Sequence, residues 1–178
     1  MPAPPPGPGC LEVARLGAAA LARVVGLGDM HLAPTLQSFA EDGLRGGCLR
    51  MAVDMAGCPG MDSTFMGTLV GLSITLREHG GWLCVMNMGA ECERLMRMLG
   101  VWDFVPALER PLGEPGGLVR LDPESSPEKR LETVLEAHRR LVEAEAGNRR
   151  RFGPFLEAVE RELASRGGPP GPPDPRDR

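Results

Sequence analysis

The chain has 178 residues, of which 24 are glycine, 18 proline and only 7 aromatic (2 Trp, 5 Phe, no Tyr). A Gly and Pro share near a quarter borders on low complexity, but 42% hydrophobic residues supply enough apolar surface for one core of ordinary size. The net charge of −4, with acids and bases interspersed, offers no basic stripe for phosphates, so nucleic acid is excluded as a partner.

The prolines are concentrated. Five fall in residues 1–9 (MPAPPPGPG) and five in 169–175 (PPGPPDP), so residues 1–9 and 167–178 read as disordered, proline-rich tails. No apolar run approaches the roughly 20 residues of a membrane span, which excludes membrane insertion. The apolar stretch 11–27 is interrupted by Glu12, Arg15 and Arg23 and lacks a basic leader, which argues against a signal peptide. Cysteines at 10, 48, 58, 84 and 92 form neither a disulfide framework nor a CxxC metal pair, and read as free thiols packed as small hydrophobes in a reducing cytoplasm. His31, His79 and His138 lie far apart in sequence. No cofactor, metal or catalytic role is expected of them.

In chain order, residues 11–16 and 20–26 read as two strands of an antiparallel hairpin. Leu32, Leu36, Phe39, Ala40 and Leu44 then recur at helical spacing and stop at Gly46 and Gly47. CLRMAVDM (48–55) reads as a buried strand. The next helix, STFMGTLVGLSITLREHGG, has Met66, Leu69, Val70, Leu72 and Leu76 on its apolar side; Gly67 and Gly71, four apart, allow it to approach the sheet closely. WLCVMN (82–87) is a third buried strand, and AECERLMRMLG a third helix, with closure near residues 102–105. Strands alternating with helices predict an α/β fold: a small mixed sheet, antiparallel at its first hairpin and parallel thereafter, packed with helices over residues 10–108.

Residues 106–123 hold four prolines and three glycines and read as irregular, with a linker over 109–123. Residues 124–166 form a C-terminal helical extension. Ser126 is placed to cap it, Pro127 fits the first helical position, and Lys129 stands where a full capping box has an acid. Leu131, Val134, Leu135, Leu141 and Val142 make one apolar stripe; Phe152, Phe155, Leu156, Val159 and Leu163 make another. Breaks at Gly147 and Gly153-Pro154 suggest a helical hairpin or a kinked helix. Its nine acids and nine bases read as a solvated face.

The segment that carries chemistry is VDMAGCPGMDSTFMGTLVG (53–71). A buried strand ends at Asp54, and after a turn Asp62 and Ser63 stand at the mouth of a helix. Either residue can cap free N–H groups there, and a phosphate at the same place meets the positive end of the helix dipole. Local pattern alone leaves both readings open. No nucleotide-binding GxxxxGK[ST] or GxGxxG loop occurs. No histidine lies in the turn and His79 falls at the far end of the following helix, so enzymatic activity is not expected.

The run MDSTFMGTLVGL, with VVGLGDM upstream and GGWLCVMN and RLMRMLGVWDFV downstream, resembles the STAS domain of anti-sigma-factor antagonists over residues 11–108. The resemblance implies that Ser63, directly after Asp62, is phosphorylated by a cognate anti-sigma serine kinase with a histidine-kinase-like ATPase domain. It further implies a cytoplasmic bacterial regulator of transcription that works by partner switching. Asp29, in GLGDM, is expected near the same surface. Asp29, Met61, Asp62, Ser63, Thr64, Phe65 and Met66 are the expected partner-binding residues, with Thr64 a competing acceptor. The sequence departs at Phe65, where the family usually has glycine. That residue either turns into the core or adds apolar bulk where the kinase docks. The alternative function is a constitutive STAS scaffold or docking subunit in a signalling or lipid-transport assembly, with the C-terminal helices supplying docking or self-association.

Overall fold

The computed structural model describes residues 9–108, 116–124 and 126–166. The expected disordered tails, except Gly9, and residues 109–115 of the expected linker lie outside the described residues.

Strands β1 (Cys10–Leu16) and β2 (Ala19–Val25) form the antiparallel hairpin. Its turn is Gly17-Ala18, with Gly17 at φ 64°. Helix α1 (Ala33–Arg45) follows, then β3 (Arg50–Gly57), α2 (Ser63–Glu78), β4 (Trp82–Met86) and α3 (Ala90–Met98). A single 3-10 turn (Trp102–Phe104) leads to the short β5 (Ala107–Leu108). β2, β3, β4 and β5 pair in parallel, each by a helical or turn crossover, as the alternation of strand and helix patterns predicts. Part of the stretch expected to be irregular is ordered: β6 (Val119–Leu121) pairs antiparallel with β1, giving the sheet order β5-β4-β3-β2-β1-β6. Val119 and Leu121 alternate with Arg120, a strand pattern too short to stand out among prolines and glycines.

One face of the sheet (Leu11, Val24, Val53, Met55, Val85 among others) meets Leu36 of α1, Phe65 and Leu69 of α2 and Met96 of α3 in the main core. Leu21, Ala52, Cys84 and Met86 point to the other face and form a smaller cluster with Leu108 and Leu118. All five cysteines are buried free thiols.

The extension is two helices, α4 (Pro127–Ala144) and α5 (Asn148–Arg166). Ser126 caps α4, its side chain accepting the Lys129 N–H at 3.2 Å. The chain breaks only once, around Gly147; Gly153-Pro154 lies within α5, where Pro154 falls at the seventh residue of an already formed helix. α4 is not a solvated appendage. Leu141 is fully buried and belongs to the main core. The buried Asn148 amide donates to the carbonyls of Leu99 and Leu141, both at 2.9 Å, tying the start of α5 to α3 and α4. Thr133 donates to Gln37 on α1.

Helix α2 is consequently covered on both sides, which is why it is apolar almost all round. Phe65, Leu69 and Leu76 are in the main core, while Gly67 and Gly71 face α4 instead of the sheet. The close approach that this glycine pair allows is therefore between helices.

Candidate functional site

The site lies where three segments meet: the loop after β2, the turn before α2, and the face of α4 turned toward the start of α2. The two loops are zipped together by backbone. Gly28 and Met61 form an isolated parallel bridge; the Gly28 N–H donates to the Gly60 carbonyl (3.0 Å), and the Asp62 N–H to the Gly28 carbonyl (2.9 Å). Gly28 also leaves room for the Phe65 ring. A Cβ there would stand 2.7 Å from the Phe65 ring.

Asp62 is the N-cap of α2. One carboxylate oxygen accepts the Phe65 N–H and the other the Met30 N–H, each at 2.8 Å. The two readings of this position are therefore joined: Asp62 caps, and the next residue is free to do something else. Burial pushes the Asp62 carboxyl above its ordinary range, opposed by those N–H donors and reinforced by the charge of Asp29. Asp29 stands beside it, holding the loop through bonds from the N–H groups of His31 and Leu32.

Ser63 is the first residue of α2. Its hydroxyl lies 3.0 Å from Nε2 of His138 on α4. The other ring nitrogen, Nδ1, is 2.7 Å from the Val134 carbonyl, which can only accept. In the neutral ring Nδ1 therefore carries the proton, Nε2 is the acceptor, and Ser63 donates to it. His138 is 6% exposed and packs against the rings of Phe152 (centroids 4.9 Å) and Phe155 (5.1 Å).

Ser63 and His138 open onto a cavity of about 510 Å³ that Asp62, Met30, Arg130 and Phe155 help to line. Its mouth is apolar: Met30, Leu131 and Phe155 are each about 40% exposed. Of the residues expected to bind a partner, Asp29, Asp62 and Ser63 are partly accessible. Met61, Thr64, Phe65 and Met66 are buried in the free chain, with Thr64 also lining the cavity beside Ser63. Phe65 is fully buried over Gly28, which fits this chain's exchange of glycine for a core ring and adds nothing to the docking surface.

His138 was missed by sequence reasoning. It stands 75 positions from Ser63, and its one signal is its place at 134, 138, 141 and 142 on the buried stripe of α4. Among the described residues no group of three or more His, Cys, Asp or Glu side chains could hold a metal ion. No helix among them is long and apolar enough to cross a membrane.

Comparison with known proteins completes the picture. The profile of the STAS domain matches residues 12–113, more than half of the chain. The chain belongs to the STAS domain family. Among solved structures, this STAS chain is similar to a Thermotoga maritima protein assigned as an anti-sigma factor antagonist, at 13% identity and TM-score 0.52, covering 56% of this chain and 86% of that one. It is also similar to the anti-sigma factor antagonist SpoIIAA in its unphosphorylated form, at 14% identity and TM-score 0.50, covering 56% of this chain and 89% of that one. At these identities the likeness is one of fold. No similar sequence is found among curated proteins.

Proposed function

We propose that this STAS protein is an anti-sigma-factor-antagonist-like regulator in the bacterial cytoplasm, which binds a cognate serine kinase with a histidine-kinase-like ATPase domain and is released when Ser63 is phosphorylated. The observation that carries this reading is the position of Ser63: the first residue of α2, its hydroxyl at the wall of an open cavity with an apolar, exposed rim.

A phosphate on that hydroxyl adds about −1.5 to −2 charges at neutral pH. It would stand beside the carboxylate of Asp62 and within the ring of Met30, Leu131 and Phe155. A partner closing over this rim must desolvate the new charge, and a loss of about 3 kcal/mol lowers affinity more than a hundredfold. The switch thus needs no refolding of the domain. Because α4 occupies the flank of α2, the partner surface is composite: Met30 and Asp62 come from the STAS loops, Leu131 and Phe155 from the extension.

The test compares Ser63→Ala with Ser63→Asp in full-length protein, in pull-downs against each histidine-kinase-like ATPase domain of the source cell. The alanine variant is expected to retain one such partner and the aspartate variant to lose it. Equal capture by both variants, or capture of none, sinks the reading.

A further inference from the structure

Most side chains on α4 that touch α2 only pack; His138 is placed for chemistry. Its Nε2 is 3.0 Å from the Ser63 oxygen, within the reach a proton acceptor needs. Its Nδ1 is held at 2.7 Å by the Val134 carbonyl, which fixes the ring orientation and the tautomer that leaves Nε2 able to accept. Two aromatic rings of α5 pack against it, and α4 is anchored on its C-terminal side by Leu141 in the core and by the Asn148 bridge. The helix that carries it cannot drift from the serine without breaking the core. A hydroxyl, an imidazole and a third group orienting the imidazole are the parts of an activated nucleophile.

We propose that His138 is the proton acceptor for Ser63, making this serine a nucleophile toward tetrahedral phosphorus. The proposal rests on the reading of Ser63 as a phosphorylation site and extends it to this chain's own extension. In the step, a bond forms between Ser63 Oγ and the terminal phosphorus of a nucleoside triphosphate held by the kinase. The bond from that phosphorus to its bridging oxygen breaks and the nucleoside diphosphate leaves. The Ser63 proton passes to Nε2. The resulting imidazolium keeps its Nδ1–H on Val134 and turns its Nε2–H toward the new phosphate, a charge-assisted contact. The charged groups facing this pair are Asp62, from the turn before α2, and Arg130, from α4 itself; α5 presents Phe152 and Phe155. Asp62 favours the imidazolium, and because both its oxygens accept backbone N–H groups it does not compete for the Ser63 proton.

The role is testable without the kinase, using diisopropyl fluorophosphate as the phosphorus electrophile on the full-length chain. Attack by Ser63 expels fluoride and passes the same proton to His138. Peptide mapping is expected to find the label on Ser63 in the wild type and none in Ser63→Ala. His138→Gln and His138→Ala, each checked by thermal melting, are expected to label on the order of a hundredfold more slowly. Imidazole added to His138→Ala is expected to restore labelling, while pyrrole, of the same shape without a basic nitrogen, is not. Absence of label from wild-type Ser63, undiminished labelling of His138→Gln, or equal rescue by pyrrole overturns the proposal. Labelling that needs His138, combined with equal partner capture by Ser63→Ala and Ser63→Asp, would remove the partner-switching reading and leave the role of His138 standing.

Discussion

The carbonyl oxygen of Ala137 lies where a side chain at Gly67 would begin: a Cβ on Gly67 would come within 2.3 Å of it, with the Ala137 carbonyl carbon at 2.6 Å. Backbone meets backbone here, and neither helix can yield by a change of rotamer. Gly67→Ala should therefore destabilise the protein by about 1 to 3 kcal/mol, the usual cost of overpacking. That loss outweighs the gain of roughly 1 kcal/mol that alanine brings to a helix. Urea unfolding measures it.

Gly71→Ala is the matched contrast. Its Cβ would meet the Arg140 side chain at 3.1 Å, a flexible and partly exposed stem that can move aside. Unfolding midpoints for this variant are expected to equal or slightly exceed the wild type. A loss as large as that of Gly67→Ala would mean the two positions share one rigid contact.

Leu141→Ala should cost about 2 to 5 kcal/mol, since the side chain is fully buried in the core shared by α4 and the sheet. The protein is expected to unfold in one transition by circular dichroism, with this variant shifted as a whole. A separate early transition of the helices would contradict the shared core.

Asp54 should make the fold acid-sensitive. Burial pushes its carboxyl up, but donors from Asn87, the Ala56 N–H and Arg23, together with the Arg23 charge, outweigh burial and hold it below its ordinary value. A group depressed in the folded state stabilises above its unfolded value, near pH 4, and loses that contribution as pH falls through the folded one. Denaturant midpoints of wild type and Asp54→Asn are expected to differ at pH 6 and to approach one another as the pH is taken down through the carboxylate range.

If Ser63 is the acceptor in cells, Thr64 should carry no phosphate. Its side chain is 4% exposed, buried on the first turn of α2. A phosphopeptide map over residues 59–77 that places a phosphate on Thr64 would require α2 to open at its start.

The hairpin, the parallel strands and the helix stops were legible because each is local: period-two runs, period-3.6 runs, and glycines at the ends. Asp62 and Ser63 were legible for the same reason, as a cap and its neighbour in one turn. Three things were not. Phe65 could face either way by pattern, and what sends it inward is space left by Gly28, 37 positions earlier. The spacing of Gly67 and Gly71 announced close packing but not with what, since sheet and helix ask for the same small residues. His138 depends on how α4 lies across α2, a relation between distant segments that no periodicity encodes.

The STAS match ends at residue 113, yet Leu141 sits in the same core as Val53. The inherited module and the piece of chain that folds together are therefore different lengths. A fragment cut at the family boundary would bare Thr64, Gly67 and Thr68 along the length of α2, a strip of small side chains and backbone that is buried in the intact chain. Such a fragment would acquire a sticky face of its own, and partners caught by it would report the cut and not the protein.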